Sequence, residues 1–163
     1  MGLVACSSND GAKSNKKEES KETAAPKVDT KKELVKFYVE LGNKINAKDA
    51  DLNVYVAKAT AENPKPEDLP TPQEKAKASE SAAAVAAELN SIQIPAGLKG
   101  QKTELEAALK DYAAAYQAKA DEFKKDQPSL EAGEDIFAQA EEKLGKVYVS
   151  AKLLPPSLGK QVN

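Results

Sequence analysis

The chain has 163 residues, of which 40% are hydrophobic, and it contains one Cys, no His and no Trp. A His-based catalytic triad, a zinc cluster and an intrachain disulfide are therefore excluded. All 24 basic residues are Lys and 26 residues are acidic, so the net charge of −2 argues against a nucleic-acid partner. The length suits one domain, and the excess of Ala, Glu and Lys over aromatic residues predicts an all-α fold.

The chain begins with a short apolar run that ends at its only cysteine. Leu3, Val4 and Ala5 directly precede Cys6, and a Ser-rich polar stretch follows. This run resembles the lipobox of bacterial lipoproteins, in which the cysteine receives diacylglycerol and becomes the first residue of the mature protein. The resemblance covers residues 3–6 only. It implies that Cys6 is a lipid attachment site and that the protein is anchored to the extracytoplasmic face of the bacterial cell membrane.

Residues 1–6 are too short for a complete signal peptide, which needs a charged region and an apolar region of about 7 to 15 residues. We therefore expect them to be the remnant of a lipoprotein leader, and whether Met1 and Gly2 are native stays open. One alternative is myristoylation of Gly2 with palmitoylation of Cys6, although that motif requires Ser or Thr at position 6. Another is that Cys6 is an ordinary thiol in a disordered tail.

Residues 7–29 have almost no large apolar side chain and mix both signs of charge. Such a segment cannot bury enough apolar surface to offset the entropy lost on ordering, so we predict a disordered tether. A flexible coil of this length spans on the order of 25 Å. The tether would hold a folded domain clear of a membrane.

Apolar residues spaced by three and four predict one long amphipathic helix from Thr30 to about Ala61. Asp29 or Thr30 can cap its start. The polar run at residues 46–51 is its weakest part, where the sequence allows a kink or a short break.

Four prolines between residues 64 and 72 forbid a helix and predict a stiff connector. Thr71 as a cap, Pro72 at the first helical position and Glu74 three residues after the cap then mark a strong helix start. This second helix is predicted to reach about Ile92.

The third helix is predicted from Leu98 to about Asp126, and the fourth from Leu130 to Leu154, where two prolines stop it. Gly133 and Gly145 fall inside the fourth helix, and we interpret them as points of close approach to a neighbouring helix. Four amphipathic helices with short connectors predict an antiparallel up-down-up-down four-helix bundle over residues 30–156, followed by a C-terminal tail at 157–163. The main alternative is a three-helix packing with a broken or loosely docked first helix.

Four tyrosines on the apolar faces are candidates for a ligand cleft between helices. Tyr112 and Tyr116 lie one turn apart, and Tyr38 and Tyr55 can face them from the first helix. Core tyrosines with hydroxyls at the rim would give the same pattern, and this is the favoured interpretation.

The acidic patterns are incomplete as metal sites, and we predict no metal and no cofactor. Residues 49–53 resemble the start of a calcium loop, but Val54 and Thr60 stand where the loop needs Gly and Glu. We therefore expect Asp49 to lie on a solvated stretch of helix. Di-iron sites in bundles need Glu-x-x-His pairs, which a chain without His cannot supply. The acids of the fourth helix are also expected to be solvated: Glu134, Asp135, Glu141 and Glu142.

No nucleophile stands beside a base in the sequence, and no Gly-rich phosphate loop occurs, so we do not predict an enzyme. The sequence predicts a cell-surface lipoprotein whose helical domain is a non-catalytic binding or structural module of the envelope, with a protein or cell-wall partner. The alternative is a binding protein for a small ligand or a peptide, which would occupy the tyrosine-lined cleft. Beyond the lipobox, the chain resembles no specific family.

Overall fold

The computed structural model describes residues 29–162, so the predictions for the lipobox, for Cys6 and for the tether up to residue 28 lie outside the described residues. Within this range the chain is all-α, as predicted, and it contains no strand. Two 3₁₀ segments, Pro66–Asp68 and Ala96–Gln101, precede the second and third long helices. The helices are α1 (Thr30–Asn46), α2 (Ala50–Ala59), α3 (Pro72–Ser91), α4 (Lys102–Glu122), α5 (Glu134–Ser150) and α6 (Leu158–Gln161).

The prediction of one long helix from Thr30 to about Ala61 is confirmed only in part, because the short break that the polar run allows is present and α1 and α2 are separate helices. The break covers residues 47–49 and falls in the polar run that the sequence marks as the weakest part. Asp49 occupies the N-cap position of α2. Short polar residues favour helix caps over helix interiors, so the polar residues of this run favour a break at this position.

Two helix starts follow the predicted capping rules. At α3, the Thr71 hydroxyl accepts from the Glu74 N–H at 3.1 Å, and the Glu74 carboxylate accepts from the Thr71 N–H at 2.9 Å. Pro72 is the first helical residue. At α1, the cap is Asp29, whose carboxylate accepts from two backbone N–H groups of the first turn.

The last two long helices are shorter than predicted. α4 begins at Lys102 rather than Leu98, since a 3₁₀ segment occupies the intervening residues. α5 begins at Glu134 because Gly133 has a φ of +79°, a left-handed conformation that a helix cannot continue through. The close approach expected at Gly133 is present, because a Cβ there would meet the backbone carbonyl of Ala115 in α4.

Adjacent helices contact one another in antiparallel order. Lys44 of α1 pairs with Glu88 near the end of α3. Lys58, which lies later in the chain on α2, pairs with Glu74 near the start of α3. α3 and α4 also run in opposite directions, because Lys75 contacts the carbonyl of Lys125, just after α4, while Ser79 contacts that of Ala120. In the same way, Asp111 of α4 pairs with Lys143 of α5, and Lys119, further along α4, donates to the Leu130 carbonyl, which precedes α5.

The core lies between the apolar faces of these helices, and α5 returns to α1 at one end. There the Tyr148 hydroxyl donates to the Leu34 carbonyl at 2.5 Å, and the Tyr148 ring packs edge-on against Tyr38. The largest fully buried side chains include Leu34, Leu41, Ile45, Val85, Leu89, Leu98, Leu105, Tyr112, Phe123, Leu144 and Leu158.

The residues assigned to a C-terminal tail belong to the folded body within the described range. Leu158 and Val162 are buried, and the short α6 lies against α1. Gly42 of α1 makes room for this contact, because a Cβ at that position would overlap the Gln161 amide. In the part of the chain described here, no helix has both the length and the apolar character needed to cross a bilayer.

Candidate functional site

A groove of about 830 Å³ opens between α2 and α5. Its volume falls in the range of small-ligand sites, which is roughly 300 to 1,000 Å³. α4 forms its floor, and the C-terminal segment from Ser157 onward closes one side. The large apolar side chains that line the groove are Leu52, Val56, Tyr116, Leu130, Phe137 and Val162.

The groove exists because the two helices that flank it pack elsewhere. α2 packs mainly on α3, and α5 packs mainly on α4, so the space between α2 and α5 stays unfilled. The side chains that α2 and α5 present at its edges include Ala57 and Ala138, both exposed. Larger residues at these two positions would occupy the opening.

Of the four candidate tyrosines, the structure places Tyr116 on the groove. Tyr116 is 5% exposed, and its ring lies edge-on to Phe137 with centroids 6.2 Å apart. Burial raises the pKa of its hydroxyl, and the charges of Asp49 and Glu141 raise it further. The hydroxyl therefore stays protonated, and within residues 29–162 it has no hydrogen-bond partner.

The other three candidates do not line the groove. Tyr112 is fully buried behind Phe137 and donates to Glu141 at 2.9 Å. Tyr55 packs against Phe123, with ring centroids 5.0 Å apart, on another side of the core. Tyr38 is half-buried and donates to the Ser157 carbonyl at 2.9 Å. The structure therefore brings Tyr112 and Tyr116 together, while Tyr38 and Tyr55 hold other contacts.

Glu141 is a groove residue that the sequence analysis expected to be solvated, and that expectation is wrong. Its Oε1 accepts from the Tyr112 hydroxyl, from the Leu158 N–H at 2.8 Å and from the Gly159 N–H at 3.2 Å. One half-buried carboxylate thus ties α4, α5 and the C-terminal segment together. The spacing in the sequence could have indicated this position, because Glu141 follows Phe137 by four residues and so lies on the same helix face.

Lys119 is the positive group of the groove. Its side chain is half-buried, and Nζ donates only to the Leu130 carbonyl, at 3.3 Å. Within the described range no carboxylate forms an ion pair with it. Burial lowers the pKa of this ammonium, while the charge of Glu134 raises it. Lys119 therefore holds a poorly compensated positive charge beside an apolar surface.

Asp49 is also buried, at 3% exposure, so the prediction that it lies on a solvated stretch is wrong. It sits at the break between α1 and α2, and burial raises the pKa of its carboxyl group. Its Oδ2 has no hydrogen-bond partner among residues 29–162. The backbone groups on either side of Asp49 do have hydrogen-bond partners, because the Ser81 hydroxyl accepts from the Leu52 N–H and donates to the Lys48 carbonyl.

The groups around the groove suit noncovalent binding. Buried Ser79 and Ser81 donate to backbone carbonyls, so their hydroxyls have structural roles. Within the described residues, no three acidic or cysteine side chains cluster in a way that could hold a metal ion. What faces the opening is an apolar surface with one ammonium, one phenol hydroxyl, the carboxylates of Glu134 and Glu141, and the neutral polar side chains of Asn53, Thr60 and Ser157.

Comparisons with known proteins add no family to this description. No family model matches the chain, and neither a curated protein nor a solved structure matches it.

Proposed function

We propose that the protein is a lipid-anchored, non-catalytic binding module of the bacterial cell envelope that takes its ligand into the groove between α2 and α5. The single observation that carries the binding role is the groove itself, which is concave, mainly apolar and supplied with a few polar groups. This is the usual composition of a ligand site. It favours the small-ligand alternative over a purely structural role.

The cellular location in this proposal is supported by the sequence of the N-terminal segment. Leu3, Val4 and Ala5 before Cys6 resemble a lipobox, and residues 7–29 have the composition of a tether. The partner on the membrane side is then the bilayer itself, reached through the lipid on Cys6. A ligand or a cell-wall partner is met by the helical domain.

We also infer that residues 30–156 are arranged as an up-down-up-down four-helix bundle, in which α1 and α2 together form the first leg and α5 forms the last leg. The antiparallel contacts between successive helices support this topology. The Tyr148 hydrogen bond to Leu34 supports it as well, because it brings the last leg beside the first.

Acyl labelling tests the anchor. The full chain, placed behind a complete lipoprotein leader in a bacterial host fed an alkyne-bearing palmitate, should become labelled and fractionate with membranes. Cys6→Ser should abolish both results, whereas Ser8→Ala, two residues away, should retain both. An unlabelled parent chain, or label that persists in Cys6→Ser, would contradict lipid anchoring.

Native mass spectrometry tests the binding role. The full chain purified from bacteria should carry a small molecule that Ala57→Trp removes, because the indole would occupy the groove. Ala87→Trp is the matched control, since Ala87 is an exposed helical alanine outside the groove lining. The binding role is wrong if the parent chain carries nothing, or if both variants retain the same molecule.

A further inference from the structure

We propose that the groove binds an amphiphile with a single apolar chain and an anionic head group, with the head group on Lys119 and the chain along α2 and α5. This inference rests on the proposed function of the groove as a ligand site. It adds the chemical class of the ligand and the residue that recognises its charge.

The first argument is the state of the Lys119 ammonium. It has three N–H donors, and in residues 29–162 it uses one long hydrogen bond to the Leu130 carbonyl. A half-buried ammonium without an anionic partner is costly, and burial lowers the pKa of Lys119 accordingly. A carboxylate or phosphate placed beside Nζ would remove this cost and form a charge-assisted hydrogen bond.

The second argument concerns the two acids that share the groove. Glu141 already accepts three hydrogen bonds through Oε1, from a phenol and two backbone N–H groups, which compensate its charge. Glu134 is exposed, so water screens it. The charge of Asp49 raises the pKa of Tyr116, but Asp49 is not part of the lining. The uncompensated charge that faces the apolar surface is therefore positive, which favours an anion over an amine.

The third argument is the shape of the apolar surface. Val56 of α2 and Phe137 of α5 are half-buried large side chains on the two helices that flank the groove, and Leu52 and Val162 add to the apolar lining, with Asn53 next to Leu52 donating to the Val162 carbonyl. A flexible hydrocarbon chain can cover such a surface without needing polar partners along its length. Since the lining is mainly apolar, and the Asn53 and Thr60 side chains already donate to backbone carbonyls, the groove suits a ligand whose polarity is confined to one end.

Calorimetric titration of the full chain with dodecyl compounds, kept below their micelle concentrations, tests the inference. Dodecanoate and dodecyl phosphate should bind, dodecanol should bind about tenfold more weakly, and dodecylamine should bind more weakly still. The carboxylate and the phosphate represent the two sources of such a ligand, a free fatty acid and a lipid phosphate. Whichever binds more tightly identifies the source.

Substitutions assign the head group to its residue. Lys119→Met should weaken dodecanoate about tenfold and leave dodecanol unchanged, while Lys119→Arg should retain most of the affinity. Lys110→Met is the matched control, because Lys110 is an exposed lysine of α4 outside the groove, and it should change nothing. Ala57→Trp should abolish binding of every dodecyl compound.

The outcomes separate this inference from the proposed function. Tighter binding of dodecylamine than of dodecanoate, or equal affinities in the parent chain and Lys119→Met, would overturn the anionic head group. If a peptide or another compound of different chemistry is found in the parent chain and is lost in Ala57→Trp, the groove is a binding site and the ligand class is wrong. If the parent chain binds no compound in the titrations and carries none in native mass spectrometry, both proposals fail.

Discussion

The seam at which α1 and α2 face α5 is filled differently at its two ends. At the end where α1 meets the C-terminal half of α5, Tyr148 donates to the Leu34 carbonyl and packs against Tyr38. At the other end, Ala57 of α2 and Ala138 of α5 lie at the edges of the groove, and Val56 and Phe137 are only half-buried. One end is closed by tyrosines and the other is left open by alanines.

The difference shows how packed amphipathic helices can acquire a binding surface without a specialised motif. Large side chains with a hydrogen bond close the seam, while small side chains after a helix break leave it open. The break at residues 47–49 separates α1, at the closed end, from α2, at the open end. Variants at the two ends and at the break, each compared with a control variant, test this difference.

Gly133→Ala should produce the largest loss, because this residue sets the start of α5 at the open end. A side chain there is strained by the positive φ of +79° and also meets the Ala115 carbonyl. We expect the free energy of unfolding, measured in urea, to fall by about 3 kcal/mol.

Gly100→Ala is the control for that variant. No heavy atom lies within 4 Å of a Cβ built at Gly100. Its free energy of unfolding should stay within about 0.5 kcal/mol of the parent chain. Equal stabilities of the two alanine variants would contradict the role assigned to Gly133.

Glu141→Ala should be the next largest effect, since it removes the acceptor of three hydrogen bonds and leaves the buried Tyr112 hydroxyl without a partner. The free energy of unfolding should fall by about 2 kcal/mol. In hydrogen exchange, the Leu158 and Gly159 amides should exchange faster than in the parent chain.

Glu141→Gln keeps an acceptor oxygen at the same place and should lose less stability than Glu141→Ala. If the alanine variant is as stable as the parent chain and protects both amides equally well, Glu141 does not hold the C-terminal segment.

The sequence predicted the helical class, the connectors and the α3 capping box because these depend on local patterns such as apolar spacing, proline and caps. It indicated where the first helix could kink or break, and the structure has a break there. It placed Gly133 inside a helix, however, whereas the structure gives this residue a left-handed conformation beside the Ala115 carbonyl of another helix. Helix ends fixed by tertiary contact cannot be read from one helix alone.

The groove was less predictable than the fold. Apolar spacing placed four tyrosines on inward faces, and the structure puts Tyr116 of this set in the groove lining. Whether an inward face meets a partner depends on the sizes of residues on another helix, such as Ala57 and Ala138. The position of Glu141 on an apolar face was visible, but its partners in the C-terminal segment depend on how that segment folds back.

Tyr148→Phe should weaken the closed end by about 1 kcal/mol, because it deletes the hydroxyl that donates to the Leu34 carbonyl. Tyr116→Phe makes the same chemical change at the open end, where the hydroxyl has no partner within residues 29–162. Its free energy of unfolding should therefore stay unchanged. An equal loss in both variants would mean that the hydrogen bond does not distinguish the two ends.

Asp49→Asn should be the only stabilising change, by about 1 kcal/mol near pH 7, since it removes a charge from a buried site with an unpartnered Oδ2. Burial raises the pKa of Asp49 in the folded chain, so the folded state keeps its proton longer than the unfolded state as pH rises. The stability of the parent chain should therefore fall between the unfolded and the folded pKa, and the penalty should be constant above the folded value.

The advantage of Asp49→Asn should accordingly grow across that acidic interval and then level off. Asp51→Asn, an exposed change two residues away, should give no such curve. If the advantage is instead independent of pH, the carboxyl group is not ionising in a buried site. The break between the two ends would then owe its form to the backbone of residues 47–49 and not to a charge held there.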